Sequence, residues 1–155
     1  MNQFFRKNLT SLIIALLILA PSSAFSAADS IIIDGVPAEI PADMGRIQEK
    51  DDRTFVPIRF ISEFLNNAVW YDDAVKTATI ESEKSLIFIQ NGNCVLNIIS
   101  KEKGTSDVIT MDTVAFIDPS EGRTYIPIRY LAESLDYTVG WDEKTQTVTL
   151  DKANF

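Results

Sequence analysis

Apolar and polar positions along this chain change period at two prolines. Before Pro57 and Pro127, the runs Thr54-Phe55-Val56 and Thr124-Tyr125-Ile126 read as strands. Beyond them apolar residues recur at spacings of three and four: Ile58, Ile61 and Leu65, then Ile128, Leu131 and Leu135. That spacing places one apolar stripe along a helical face. Proline suits the first turn of a helix, where its missing N–H is not needed. Each run therefore predicts a strand passing directly into a helix of about nine residues. Asn66-Asn67 supplies a stop for the first helix, because asparagine tolerates the left-handed conformation. Asp136-Tyr137 gives a weaker stop signal for the second. Short β-rich runs then flank acidic loops. Val69-Trp70-Tyr71 faces Thr77 to Ile80 across Asp72 to Lys76, and Val139-Gly140-Trp141 faces Thr147 to Leu150 across Asp142 to Gln146.

The remaining pattern is strand-like. Ile31 to Ile33, the turn signal Asp34-Gly35 and Val36 to Ile40 predict a hairpin, with Pro37 confined to an edge. Pro41 to Lys50 reads as a polar connection. Ser85 to Gln90 and Cys94 to Ile99 predict a second hairpin around Asn91-Gly92, a type I′ signal. Lys101 to Asp107 reads as a polar loop. Val108 to Thr110 and Thr113 to Ile117 predict a further strand or pair, and Pro119 to Gly122 a turn. Residues 53–81 and 123–151 align without a gap at an offset of seventy. Eleven of the twenty-nine pairs are identical, and most others swap like for like, so the chain reads as an internal duplication. Helices this short cannot bury themselves alone. The expected fold is α+β: duplicated strand–helix–hairpin units, with mostly antiparallel sheet packed on two short helices.

The first 28 residues carry a different pattern. Arg6 and Lys7 precede an apolar run over Leu9 to Ala20, then Pro21 and small residues. This is the layout of a secretory signal peptide, with cleavage expected after Ser26 or Ala28. The run is short of the roughly 20 apolar residues a membrane span needs. The expected organisation is a signal over 1–28 and a single domain over 29–155, secreted or held at the cell envelope, with no membrane span after cleavage.

Charge and absent residue types narrow the chemistry. The 155-residue chain carries a formal charge of −8. Discarding Arg6 and Lys7 with the leader leaves twelve basic against twenty-two acidic side chains, a net of −10. Such a chain repels phosphate backbones, so nucleic acid is not an expected partner. There is no histidine. That removes Ser-His-Asp and Cys-His machinery and the commonest zinc and copper ligand. No cofactor and no metal site are expected, although carboxylate chemistry and calcium sites stay open. Cys94 is the sole cysteine, so no intramolecular disulfide forms, and its strand-like context predicts a buried thiol.

Three sets of side chains stand out. Arg59 and Glu63, like Arg129 and Glu133, are i,i+4 neighbours, with Asp72 and Asp142 as alternative partners across the fold. The expected role of the arginines is structural: partly buried guanidinium groups fixing helix to hairpin by bidentate bonds. A ligand-reading arginine pair is the alternative. Asp72-Asp73 and Asp142-Glu143 are paired carboxylates of a kind that glycosidases and calcium sites use. Adjacent residues point different ways, however, and the plain reading is acidic turns. Trp70, Tyr71, Tyr125, Tyr130, Tyr137 and Trp141 supply aromatic area for a core or for stacking on sugars. Trp70, Tyr71 and Tyr137 are the candidate ligand surface.

The phrases Arg53-Thr-Phe-Val-Pro-Ile-Arg59 and Arg123-Thr-Tyr-Ile-Pro-Ile-Arg129 resemble the copper amine oxidase N-terminal-like family, also called stalk domains. Glu133-Ser134-Leu135, Val139-Gly140-Trp141-Asp142 and Thr147-Val148-Thr149-Leu150 extend the resemblance. In the first unit Tyr71 takes the tryptophan position, and the family's glycine after the helix leucine is missing from both units. The resemblance implies a non-catalytic extracytoplasmic module, distant from copper and quinone chemistry and common in Gram-positive bacteria. It marks Arg53, Pro57, Arg59, Glu63, Asp72, Arg123, Pro127, Arg129, Glu133, Trp141 and Asp142 as motif residues of the scaffold. The expected function is binding or spacing at the cell envelope, with an envelope protein or a cell-wall glycan as partner. A carbohydrate- or peptidoglycan-binding module is the alternative, and a glycan hydrolase using carboxylates alone the remaining one.

Overall fold

A computed structural model describes residues 28–153, so the leader before Ala28 lies outside the described residues. Two strand–helix–hairpin runs frame the fold. In the first, β4 (Arg53–Pro57) enters α1 (Ile58–Phe64), which leads to the hairpin β5 (Ala68–Asp72) and β6 (Thr77–Glu81). In the second, β11 (Arg123–Pro127) enters α2 (Ile128–Ser134), then β12 (Tyr137–Asp142) and β13 (Thr147–Lys152). Pro57 and Pro127 are the helix N-caps, with extended backbone at φ −61° and −59°. The proline ring thus ends the strand and presets the first helical turn. Both helices have seven residues rather than nine, because Asn66 (φ 58°) and Asp136 (φ 65°) turn left-handed directly after the C-caps. Asp136 stops its helix as effectively as Asn66.

β4 and β11 lie side by side at the centre of a four-stranded sheet ordered β10-β11-β4-β3, where β3 is Gln48–Lys50 and β10 is Phe116–Asp118. Their register is reciprocal. Phe55 faces Pro127, Val56 faces Ile126 and Pro57 faces Tyr125. The pairing is carried into α1 and α2, and each helix packs on both central strands. The segment read as a polar connection therefore contributes an edge strand, β3. Asp51 and Asp52 turn it into β4 with left-handed backbone at φ 52° and 55°.

The hairpins belong to two further sheets. β5 and β6 open a five-stranded antiparallel sheet with β7 (Ser85–Gln90), β8 (Val95–Ser100) and β9 (Ser106–Thr110). β12 and β13 open a four-stranded sheet with β1 (Ser30–Ile33) and β2 (Val36–Pro37). β1 runs parallel to β13, and all other strand pairs among the described residues are antiparallel. Ser30 and Thr147 hydroxyls meet at 2.8 Å beside that parallel ladder. Ala28, read as the end of the leader, is buried at 4 % exposure, and Asp29 N–H donates to the Gln146 carbonyl at 2.8 Å. The ordered domain therefore includes Ala28. Asp34-Gly35 forms the expected turn, with φ 48° and 77°.

Two further expectations fail locally. At the Asn91-Gly92 turn only Gly92 has positive φ (75°), and Asn93 N–H bonds back to Gln90 at 3.1 Å. A type I′ turn needs positive φ at both central residues, so this turn is of type II character. The loop extends through Cys94, whose carbonyl accepts from Met111 N–H at 2.7 Å. Cys94 therefore sits in a loop, half-buried rather than enclosed in a strand. The core gathers apolar residues from all three sheets and both helices, among them Ile31, Val56, Ile61, Ile87, Leu131 and Leu150. No helix among the described residues is long and apolar enough to cross a membrane.

Candidate functional site: two grooves beside the central strands

The reciprocal pairing of β4 and β11 has a geometric result. The residues that open one unit's strand run alongside the helix start of the other unit. Arg53 and Thr54 lie with Ile128 and Arg129, beside Trp141 and Val148 of the second hairpin, around a groove of about 360 Å³. Arg123 and Thr124 lie with Ile58 and Arg59, beside Tyr71 and Ala78 of the first hairpin, around a groove of about 630 Å³. Each residue in one set stands seventy positions from its counterpart in the other. The second groove is the roomier, and it has Trp70, Tyr71 and Ala78 where the first has Gly140, Trp141 and Val148. Both volumes fall in the range of small-ligand sites, roughly 300–1,000 Å³.

Polar groups in the first groove form a fixed cluster. Arg53 Nε donates to Asp112 at 3.0 Å, and its Nη1 donates to the Asp52 carbonyl at 3.0 Å. Asp112 N–H donates to the Tyr130 hydroxyl at 3.2 Å. The Arg53 hydrogen bond, with help from Tyr130, holds the Asp112 carboxyl below its ordinary value, and Asp112 in turn raises Arg53. Arg129 is exposed and forms no ion pair among the described residues. Trp141 forms the aromatic wall and keeps 39 % of its surface exposed.

The second groove is arranged differently at its rim. The Arg123 guanidinium donates to the backbone carbonyls of Glu121 (3.2 Å) and Asp43. Arg59 reaches Glu63 at 3.5 Å, and Lys76 pairs with Asp73 at 3.0 Å. Burial raises the Tyr71 phenol, and its hydroxyl is enclosed with no hydrogen-bond partner among the described residues. A buried polar atom left alone is costly and calls for an explanation.

A family model described as copper amine oxidase N-terminal domain matches residues 32–150, a span that holds both grooves. The chain belongs to the copper amine oxidase N-terminal domain family. No curated protein and no solved structure matches it. In copper amine oxidases the N-terminal domain is a non-catalytic accessory domain. The residues present do not fit a copper centre. Histidine is absent from the sequence, and among the described residues no three His, Cys, Asp or Glu side chains come together to hold a metal ion.

Several sequence-derived expectations change in this family member. Arg59 and Arg129 do not clamp helix to hairpin, since both are exposed and, among the described residues, Arg59 pairs only along its own helix. Such a pair contributes a few tenths of a kcal/mol. Asp72 and Asp142 start turns. Asp72 Oδ1 accepts from Ala74 N–H at 2.8 Å, and Asp142 Oδ1 accepts from Lys144 and Thr145 N–H at 2.9 and 3.3 Å. Those backbone donors lower the Asp142 carboxyl. Of the candidate ligand surface, Trp70 and Tyr71 both line the second groove, whereas Tyr137 lines neither. Successive side chains on a strand face opposite ways, so the two meet the groove from different faces of β5, Trp70 45 % exposed and Tyr71 half-buried. Tyr137 lies half-buried against the core, its phenol raised by burial and by Asp34. Sequence gives no signal for Asp112 as the partner of Arg53, because Asp112 lies 59 residues away and outside either repeat.

Proposed function

We propose that this chain is a non-catalytic module exported to the cell envelope, where it binds cell-wall glycan. The observation that carries the reading is the pair of grooves, each with an aromatic wall beside arginine and threonine side chains. Aromatic faces stack on pyranose rings while fixed polar groups meet the hydroxyls, and sites of this composition orient small ligands. Export rests on the leader's basic, apolar and small-residue layout; burial of Ala28 favours cleavage after Ser26. Origin by duplication rests on the gapless offset of seventy. Hydrolysis is disfavoured because Asp72 and Asp142 are engaged by turn N–H groups.

The test is retention of the secreted form on purified cell walls. Trp141→Ala should reduce retention several-fold, and unchanged retention would remove the glycan reading. A second reading, docking of an envelope protein, draws on the outer face of the five-stranded sheet. There Trp70, Thr79, Phe88, Asn97 and Val108 form one cross-strand row, with Trp70 45 % and Val108 60 % exposed. Loss of retention on Val108→Asp, with Trp141→Ala silent, would favour that reading, since Val108 lines neither groove.

A further inference from the structure

We propose that the two grooves are one saccharide subsite built twice, each completed by the opening arginine of the opposite unit, so that a single molecule holds two glycan segments. The reciprocal register is the first support. A half-turn about the Val56–Ile126 pair exchanges Phe55 with Tyr125 and Pro57 with Pro127. The same operation carries Arg53 to Arg123, Arg129 to Arg59 and Trp141 to Tyr71, and so one groove onto the other. Neither groove exists within one unit. Arg53 belongs to the first unit by sequence but lines the groove of Trp141 and α2, and Arg123 lines the groove of Tyr71 and α1.

The second support is chemical. Among the described residues, the Arg129 guanidinium in the first groove and the enclosed Tyr71 hydroxyl in the second are donors without a partner. Most other charged groups around them are paired, as Arg53 is with Asp112 and Lys76 with Asp73. A groove whose charges are largely matched internally suits an uncharged, hydroxyl-rich ligand better than a polyanion. The mature chain's net charge of −10 argues the same way. The volumes differ, so the Tyr71 groove takes the bulkier sugar unit. Two sites on one rigid scaffold give avidity for a polymeric wall that neither has alone.

The choice of ligand rests on the glycan reading above, whereas the crossed assembly of the grooves does not. The probe is a soluble β-1,4-linked N-acetylglucosamine tetrasaccharide, titrated into the secreted form by calorimetry. Two sites are expected for the unaltered chain, and one for each of Trp141→Ala and Tyr71→Ala. Trp70 and Trp141 are the chain's two tryptophans. A Trp70→Phe background therefore leaves Trp141 as a fluorescent reporter of its own groove. In that background Arg53→Ala should weaken the Trp141 titration about tenfold, as loss of a charged hydrogen-bond donor does. Arg123→Ala should leave it unmoved. Arg53→Lys should restore part of the affinity, and thermal melts confirm that each variant folds. A single site, or a Trp141 signal that follows Arg123 instead of Arg53, overturns the proposal. A silent tetrasaccharide with wall retention intact overturns it while sparing the broader reading; silence in both assays removes the two together.

Discussion

Ser62 offers a prediction in which the protein should gain stability from losing a side-chain atom. It lies in α1, fully buried, and its hydroxyl has no hydrogen-bond partner among the described residues. The corresponding residue of α2, seventy positions on, is Ala132, which is equally buried. The same helix packing thus accepts alanine in one unit and encloses an unpartnered hydroxyl in the other. Leaving a buried donor and acceptor unsatisfied costs about 1–3 kcal/mol. Alanine is also favoured over serine inside a helix by up to roughly 0.5 kcal/mol. The small void left by one oxygen offsets part of this. Ser62→Ala should therefore stabilise the domain by about 1–2 kcal/mol, or roughly 3–8 °C in Tm for a domain of this size. Ala132→Ser should lower stability by a similar amount. Urea unfolding, read by far-UV circular dichroism with unchanged m-value, measures both. A Ser62→Ala variant that is less stable than the parent would refute the reasoning, because it would mean the hydroxyl has a partner after all.

Four other outcomes follow from named contacts. Tyr125 is fully buried; its hydroxyl accepts from Arg46 N–H at 3.2 Å and donates to Glu121, so Tyr125→Phe should cost about 2 kcal/mol in denaturant unfolding. Asp118 is drawn down from 3.8 to about 2 by the Ser120 hydroxyl (2.6 Å), the Gln48 amide (2.9 Å) and the Ser120 N–H (2.8 Å). Its folded value lies below its unfolded one, so its contribution is present above about pH 4 and is lost as pH falls toward 2; Asp118→Asn should flatten that part of the Tm–pH curve. Arg129→Ala should leave the melt within about 1 °C of the parent, because the side chain is exposed and forms no ion pair among the described residues. A Cβ at Gly140 would run into Thr149 Oγ1, so Gly140→Ala should destabilise by about 1 kcal/mol and Thr149→Ala should rescue it, as a double-mutant cycle would show.

Local chemistry made much of this protein legible. Pro57 and Pro127 fixed where strand becomes helix, the Ile and Leu stripes fixed which helical face is buried, and Asp34-Gly35 fixed a left-handed turn. Each is a property of a few consecutive residues, and no distant contact was strong enough to override it. The Asn91-Gly92 turn shows the limit: its dipeptide permits two turn types, and the bonds of Gly92 N–H to Ala115 and Ile117 N–H to the Asn91 side chain accompany the type II form.

By itself the sequence determined the two strand–helix–hairpin units, their shared residues and the family. It did not determine how the units meet. Twin sequences give similar local signals, and nothing in either says whether β4 pairs with β11 or with a strand of its own unit. That pairing, together with β1 beside β13 across more than a hundred residues, depends on long-range burial that only the closed core supplies. Tertiary structure therefore decided that Arg53 and Arg123 cross into each other's grooves, that Arg59 and Arg129 stay in solvent, and that Trp70 and Tyr71 line one groove while Tyr137 packs against the core.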